Sequence, residues 1–292
     1  MRKKGVNMDA RLLLIDAQED FCNPGLNDQN QKDDTRTGAL LVPGAWDDMV
    51  RVAAMIERLG NRLTRIVASL DQHHPMAIFH PLYWLDSKGQ HPDPFTIITH
   101  KDVVDGVWRT TLPQEQQWGK EYTLSLETDD PNTGRKGGRY PLCIWPYHCL
   151  IGTRGANLVM PIQDALSAWA IKGKRFVDYV AKGSNYRTEH YSIAKAEVED
   201  PRDPMTGLNH ALITALEQAD IVGMAGEARS HCFANTVRDV MDNFSDPKYI
   251  GKMVLLEDAT SDVPTFENLG EEFLEEFKDR GGQISTTVDF LV

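Results

Sequence analysis

"IVGMAGEARSHCFANTVRDVMDN", residues 221–243, decides the fold. Six apolar and small residues run from Ile221 to Gly226, short enough for a strand buried on both faces. A polar turn, "EARS", follows. From Cys232 onward the apolar residues recur at helical spacing. A strand feeding a helix through a tight turn is half of a parallel crossover unit.

The same grammar recurs along the chain. Candidate strands are "RLLLID" (11–16), "RIVASLD" (65–71), "RFVDYVAK" (175–182), "MVLLEDA" (253–259) and "GQISTTVDF" (282–290). Amphipathic segments lie between them: "AWDDMVRVAAMIERLG" (45–60), "ANLVMPIQDALSAWAIKG" (156–173), "GLNHALITALEQA" (207–219) and "ENLGEEFLEEFKDRGG" (267–282). Several end at glycine, a common helix stop. The expected fold is a three-layer α/β/α domain with a mainly parallel central sheet covered by helices on both faces.

Two stretches break the alternation. "CNPGLNDQNQKDDTRTGALLVPGA" (22–45) reads as a polar loop. Residues 82–144 read as a long insertion, a lid or oligomer element, within a single domain spanning 1–292. Inside it, "YTLSLETDDPNTGRKGGRYPLCIW" (122–145) resembles two strands joined by a long turn.

The chain has 292 residues, 41% of them hydrophobic, enough for a sizeable core. With 31 basic and 43 acidic side chains its net charge is -12, which disfavours nucleic acid and anionic membrane surfaces as partners. "MRKKGVNMDA" has no apolar signal region behind it, and no run approaches a membrane span. Four cysteines do not make a disulfide framework; they suit a reduced, cytoplasmic protein with one or two working thiols.

Ligands of open parallel sheets bind beyond the carboxyl ends of the strands. There the candidate strands deliver Asp16, then Asp71 with His73 and His74, then Lys182, and finally Cys232. Each has a plain reading alone: a turn residue, a solvated lysine, a small buried cysteine. Together they suit nucleophilic chemistry. Ser230 is placed to cap the helix that follows, and Cys232, in its first turn, would have its thiolate stabilised by the helix dipole. Asp16 is suited to move the proton, and Lys182 to hold the anions.

Asp71 and His73 alternate on one extended segment and so share a face. A carboxylate and an imidazole there suit a divalent metal, with His148 of "WPYHCLIGTRGANL" (145–158) as third ligand and His80 as a possible fourth or supporting residue. His74 would point away, and Cys149 is expected to be structural.

With these pieces assembled, the chain resembles the nicotinamidases of the isochorismatase-like cysteine hydrolases. The resemblance rests on "LLLIDAQEDFCNPG" (12–25), "SLDQHHP" (69–75), "WPYHCLIGTRGANL", "VAKGSNYRTEHYS" (180–192), "VGMAGEARSHCFANTVRDV" (222–240) and "LLEDATSD" (255–262). It implies a triad of Asp16, Lys182 and Cys232. It implies one divalent ion on Asp71, His73 and His148, with zinc expected and iron or manganese as alternatives. It implies Phe21, Trp145 and Tyr191 around a pyridine ring. It implies a cis Glu227–Ala228 bond that aims the Ala228 and Cys232 N–H groups at an oxyanion. The expected activity is hydrolysis of nicotinamide to nicotinate and ammonia, by a homo-oligomer acting in NAD salvage. Another amide or carbamoyl substrate, or a catalytically silent pyridine-metabolite binder, are the alternatives.

Overall fold

The computed structural model describes residues 8–131 and 136–292. Six strands form one sheet: β1 (Ala10–Ile15), β2 (Leu63–Asp71), β3 (Asp178–Lys182), β4 (Ile221–Gly226), β5 (Met253–Leu256) and β6 (Gln283–Ser285). All five neighbouring pairs are parallel, in the order β6-β5-β4-β1-β2-β3. The chain thus winds outward from β1 to one edge, returns to the middle, and winds to the other edge. The reversal falls between β1 and β4, where Ile15 pairs with Gly226. Crossovers leave in opposite directions at that point, and a crevice opens beyond the strand ends.

The six longer helices are α1 (Ala45–Leu59), α2 (Gln116–Glu127), α3 (Met160–Gly173), α4 (His210–Gln218), α5 (Ala234–Asn243) and α6 (Glu267–Asp279). Every residue of β1 is buried, as a sheet covered on both faces requires. Leu12 and Leu14 pack into the layer of α1 and α3, with Met49, Ile56 and Leu166. Leu13 and Ile15 face the layer of α4, α5 and α6, with Leu216, Val237 and Phe273. Burying each such side chain is worth roughly 1.5–3 kcal/mol, so this alternation pins the strand's register. Among the described residues no helix is long and apolar enough to cross a membrane.

The two irregular stretches depart from their sequence reading. Residues 22–45 are not all loop, because Pro24–Leu26 pairs antiparallel with Lys32–Thr37. In the insertion the expected hairpin is largely helix. Trp118, Tyr122 and Leu126 recur at every fourth position and form the buried stripe of α2, whereas Leu124, which created the impression of strand alternation, is exposed. Among the described residues of 122–145 only Leu142–Cys143 is strand, paired with Ile97–Ile98; the expected turn falls partly on 132–135, outside the described residues. The insertion also contributes to the core. Tyr83, Trp84 and Tyr122 are fully buried and join the core on the α4–α6 side.

Candidate active site

The residues delivered by the strand ends converge. Asp16 follows β1 directly, with φ at 43°, and is sealed from solvent. Ser69 of β2 fixes it twice: its hydroxyl accepts from the Asp16 N–H at 2.9 Å and donates to Asp16 Oδ1 at 2.5 Å. The other oxygen, Oδ2, lies 2.9 Å from Lys182 Nζ. Lys182 ends β3 opposite Asp71, and its Nζ is 3.0 Å from Asp71 Oδ1, 2.9 Å from the His190 carbonyl and 3.6 Å from Cys232 Sγ. One buried ammonium thus holds both carboxylates and the thiol.

Cys232 lies in the wide, π-helical turn Arg229–Phe233 that runs into α5. Ser230 does not cap this turn. The capping position belongs to Ala228, and the Ser230 hydroxyl instead accepts from Val263 N–H at 3.1 Å and contacts His231 Nδ1 at 2.9 Å. The Glu227–Ala228 bond is cis, and Ala228 and Cys232 line one pocket together. At β4's end Gly226, with φ at +117°, passes too close to the Ile15 backbone for any Cβ.

The expected low thiol pKa is not what this environment produces. Burial pushes Cys232 well above the ordinary thiol value; Lys182 opposes this, while Asp16, Asp71 and Glu189 add to it. Burial, with three acidic neighbours, sets the direction. Burial also raises Asp16, against the pull of Lys182. Lys182 loses hydration, but the two carboxylates more than compensate and hold it charged. Lys182 thus stands between the thiol and the Asp16 carboxyl, 3.6 Å from one and 2.9 Å from the other.

Beside the triad stand the candidate metal ligands. One ligand atom each from Asp71, His73 and His148 lies within 4.8 Å of the others. His73 Nε2 is 2.8 Å from Asp71 Oδ2, and His148 Nε2 is 3.9 Å from it. The outer nitrogens are all engaged by carbonyls: His73 Nδ1 at 3.1 Å from Gly183, His148 Nδ1 at 2.8 Å from Pro146, His80 Nδ1 at 3.0 Å from His74. An Nδ1–H donated to a carbonyl leaves Nε2 as a lone pair, the arrangement of ligating histidines. His80 Nε2 is buried without a hydrogen-bond partner, while Asp71 Oδ1 meets Lys182 Nζ and His73 Nε2 meets Asp71 Oδ2. His80 is packed against His73 and His148, at ring distances of 5.7 and 5.5 Å, but lies outside the close cluster. Burial and the other two imidazoles hold His148 neutral. Burial opposes charge on His73, yet Asp71 raises it, and Asp71 itself is held low by His73 and Lys182 against its own burial. These donors fit a divalent ion.

Gly183 makes the arrangement possible. At φ +79° its missing Cβ would lie 2.6 Å from His73 Nδ1 and 2.7 Å from Asp71 Oδ1. His74 is exposed, as expected. Cys149 is sealed, its N–H donating to Asp20 Oδ2 at 2.7 Å, which is a structural role.

Phe21, Trp145 and Tyr191 line the pocket that holds Asp71, His148 and Cys232. Trp145 Nε1 donates to the Tyr191 hydroxyl at 3.1 Å, and Phe21 meets the His148 ring edge-on at 5.4 Å. A larger cavity, about 500 Å³, lies between α1 and α3, but no cysteine or histidine lines it. Four site residues escape sequence reasoning. Gln18 ties the loop after β1 to β2, accepting from Asp71 N–H at 2.7 Å and donating to Asp71 O at 2.8 Å. Ser69 is the second. Glu189 and His231 are pocket walls. Glu189 precedes Tyr191 by two residues and so had a signal, the shared face of an extended segment. Burial raises its carboxyl to about 8.

No protein-family model matches the chain, and no curated protein matches it. Solved structures do. Yeast nicotinamidase Pnc1p is 17% identical over 94% of this chain and 98% of that one, with a TM-score of 0.60. The nicotinamidase/pyrazinamidase of Acinetobacter baumanii is 16% identical over 99% and 100%, at 0.59. The pyrazinamidase of Pyrococcus horikoshii, solved in complex with zinc, is 19% identical over 95% and 99%, at 0.51. The chain has the α/β fold of these amide-hydrolysing proteins.

Proposed function

We propose that the protein is a cysteine amidase that hydrolyses nicotinamide to nicotinate and ammonia. The observation that carries this reading is the reach of Lys182: one ammonium within 3.6 Å of Cys232 Sγ and within 3.0 Å of Asp16 and Asp71 joins a nucleophile and its base to a metal-type cluster. The fold shared with nicotinamidase and pyrazinamidase structures supports it.

In this reading Trp145, Tyr191 and Phe21 hold the ring. Cys232 passes its proton to Asp16 as sulfur attacks the carboxamide carbon, and Lys182 keeps the site's charge balanced while the proton moves. The Ala228 and Cys232 N–H groups receive the developing oxyanion. The C–N bond breaks as Asp16 returns the proton to nitrogen, releasing ammonia and leaving a thioester on Cys232. Asp16 then takes a proton from water, whose oxygen displaces the sulfur and frees the acid and the thiol. Asp71, His73 and His148 would hold a divalent ion, zinc by the precedent of the Pyrococcus horikoshii protein, with His80 supporting them. When bound, that ion supplies a Lewis acid for a ring nitrogen. A cytoplasmic homo-oligomer is the working context.

Ammonia release from nicotinamide and from benzamide, with and without a chelator, is the test. Hydrolysis of nicotinamide alone, abolished by chelation, is expected. Equal hydrolysis of benzamide, or full activity in metal-free protein, overturns the metal's part and leaves a generic cysteine amidase.

A further inference from the structure

A buried acid stands behind the nucleophile turn and has no part in the triad or the metal cluster. Glu227 joins β4 to the turn Arg229–Phe233 and is sealed from solvent, with its N–H donating to the Ile15 carbonyl at 2.9 Å. Asp48, on α1, is buried as well. Ser261 binds both carboxyls: its N–H donates to Glu227 Oε2 at 3.0 Å and its hydroxyl donates to Asp48 Oδ2 at 2.6 Å. The Ser261 carbonyl accepts the Arg229 N–H at 2.8 Å, so the residues on both sides of Ala228 are tied to one serine. Gly44 leaves room for this, since a Cβ there would lie 2.9 Å from Ser261 Oγ.

The charges here balance only with a proton added. Arg51 pairs with Asp48, and Arg229 pairs with Asp262. The sealed Cys22 thiol is a further neighbour of Glu227 and brings no positive charge. Glu227 Oε1 is buried with no donor on it, and what it meets is the Asp48 carboxyl. Two carboxylates in contact inside a sealed site repel, whereas one proton between them makes a hydrogen bond. That proton belongs on Glu227. A guanidinium and a hydroxyl stabilise Asp48 as the anion, while Glu227 has one backbone N–H. Burial, and after it Asp48 and Asp262, accordingly push Glu227 well above the ordinary carboxyl value.

We infer that Glu227 is a positioning residue: its protonated carboxyl donates to Asp48, and this shared proton, with Ser261, clamps the nucleophile turn to α1. Ala228 and Cys232 line the pocket, so Glu227 acts on the chemistry through the backbone they share. The clamp fixes where their N–H groups stand. The use of those groups for an oxyanion rests on the amidase reading; the shared proton stands apart from it.

Three measurements decide it. Infrared spectroscopy reads the proton: at neutral pH the difference between wild type and Glu227→Gln is expected to hold a carboxylic-acid C=O band, and an ionised-carboxylate band in its place overturns the inference. Hydrogen exchange reads the clamp. Over residues 227–233 it is expected to quicken about tenfold in Glu227→Leu, which cannot donate, and to stay near the wild-type rate in Glu227→Gln, which can. Steady-state kinetics on nicotinamide read the positioning: kcat is expected to fall about tenfold in Glu227→Leu with KM changed less than about twofold, and to recover most of that loss in Glu227→Gln. Faster exchange with kcat unchanged overturns the positioning role. A loss in Glu227→Gln as deep as in Glu227→Leu overturns the donated proton. Should Glu227→Leu not fold, the infrared band and the kcat of Glu227→Gln still decide. A wild type that hydrolyses no nicotinamide sinks the amidase reading alone, and the band and the exchange rates then judge the clamp.

Discussion

Trp118 of the insertion grips Arg187 twice. Its indole N–H donates to the Arg187 carbonyl at 2.8 Å, and the Arg187 guanidinium lies 4.3 Å over its ring. The same guanidinium is paired with Glu115 and, at 2.8 Å, with Asp200. One turn further along α2, the Tyr122 hydroxyl accepts the Glu189 N–H at 3.1 Å. The insertion therefore braces the segment that carries Glu189, His190 and Tyr191 into the pocket. Trp118→Phe keeps the packing and loses the N–H. We expect KM to rise several-fold with kcat less affected, measured by steady-state kinetics on nicotinamide. Removing residues 82–144 altogether should unfold the domain, because Tyr83, Trp84 and Tyr122 belong to its core; a folded, active deletion variant would show that the brace is dispensable.

Gly183→Ala tests the metal cluster without touching a ligand. The added methyl has no room between His73 and Asp71, and the backbone is in the left-handed region. Metal content, by elemental analysis, should fall together with activity, while far-UV circular dichroism stays native. Retention of a full complement of metal would mean that the two side chains can give way.

The two cysteines nearest the chemistry should separate cleanly. Cys232→Ala should abolish turnover and leave the fold intact. Cys149→Ala should keep most activity and lose on the order of 1 kcal/mol of stability from the small void at a sealed position. Iodoacetamide inactivation that maps to Cys149 and spares Cys232 would reverse these roles.

Glu197 offers a pH test away from the catalytic groups. Burial raises its carboxyl to about 7, against Arg139, whose guanidinium is 3.9 Å away. A carboxyl held above its unfolded value favours the fold while protonated. Its contribution is complete below the unfolded value near 4.5 and is lost as pH rises through about 7. Glu197→Gln has nothing to lose over that window. Its melting temperature should gain on the wild type between pH 5 and pH 8, by an amount worth roughly 1 kcal/mol or more. Parallel curves would place the titration elsewhere.

The strands and the residues at their ends were legible in the sequence because burial on both faces leaves an uninterrupted apolar run, and a polar residue ending such a run stands out. Asp16, Asp71 and Lys182 were each visible in that way, and Cys232 was visible at the start of the helix after the central strand. Ser69 and Gln18 were not, since a serine within a strand and a glutamine after one acquire meaning only from partners more than fifty residues away. The acidity of Cys232 was misread for a related reason. The helix start is local and visible, whereas the burial and the carboxylates that raise the thiol come from distant segments. Helix α2 was misread because alternation from Tyr122 to Leu126 hid a stripe that starts at Trp118.

The pairing of Ile15 with Gly226 also bears on how the protein reaches its active form. The two halves of the crevice lie side by side in space but about two hundred residues apart along the chain. A ribosome that has released only the first three strands has made Asp16, Asp71 and Lys182 but no nucleophile, and the central edge of β1 is still bare. Closing so large a loop is entropically slow, and contacts this distant are expected late in folding. Recovery of hydrolysis after dilution from denaturant should therefore trail the return of helical signal, which makes catalysis a reporter of the last long-range contact to form.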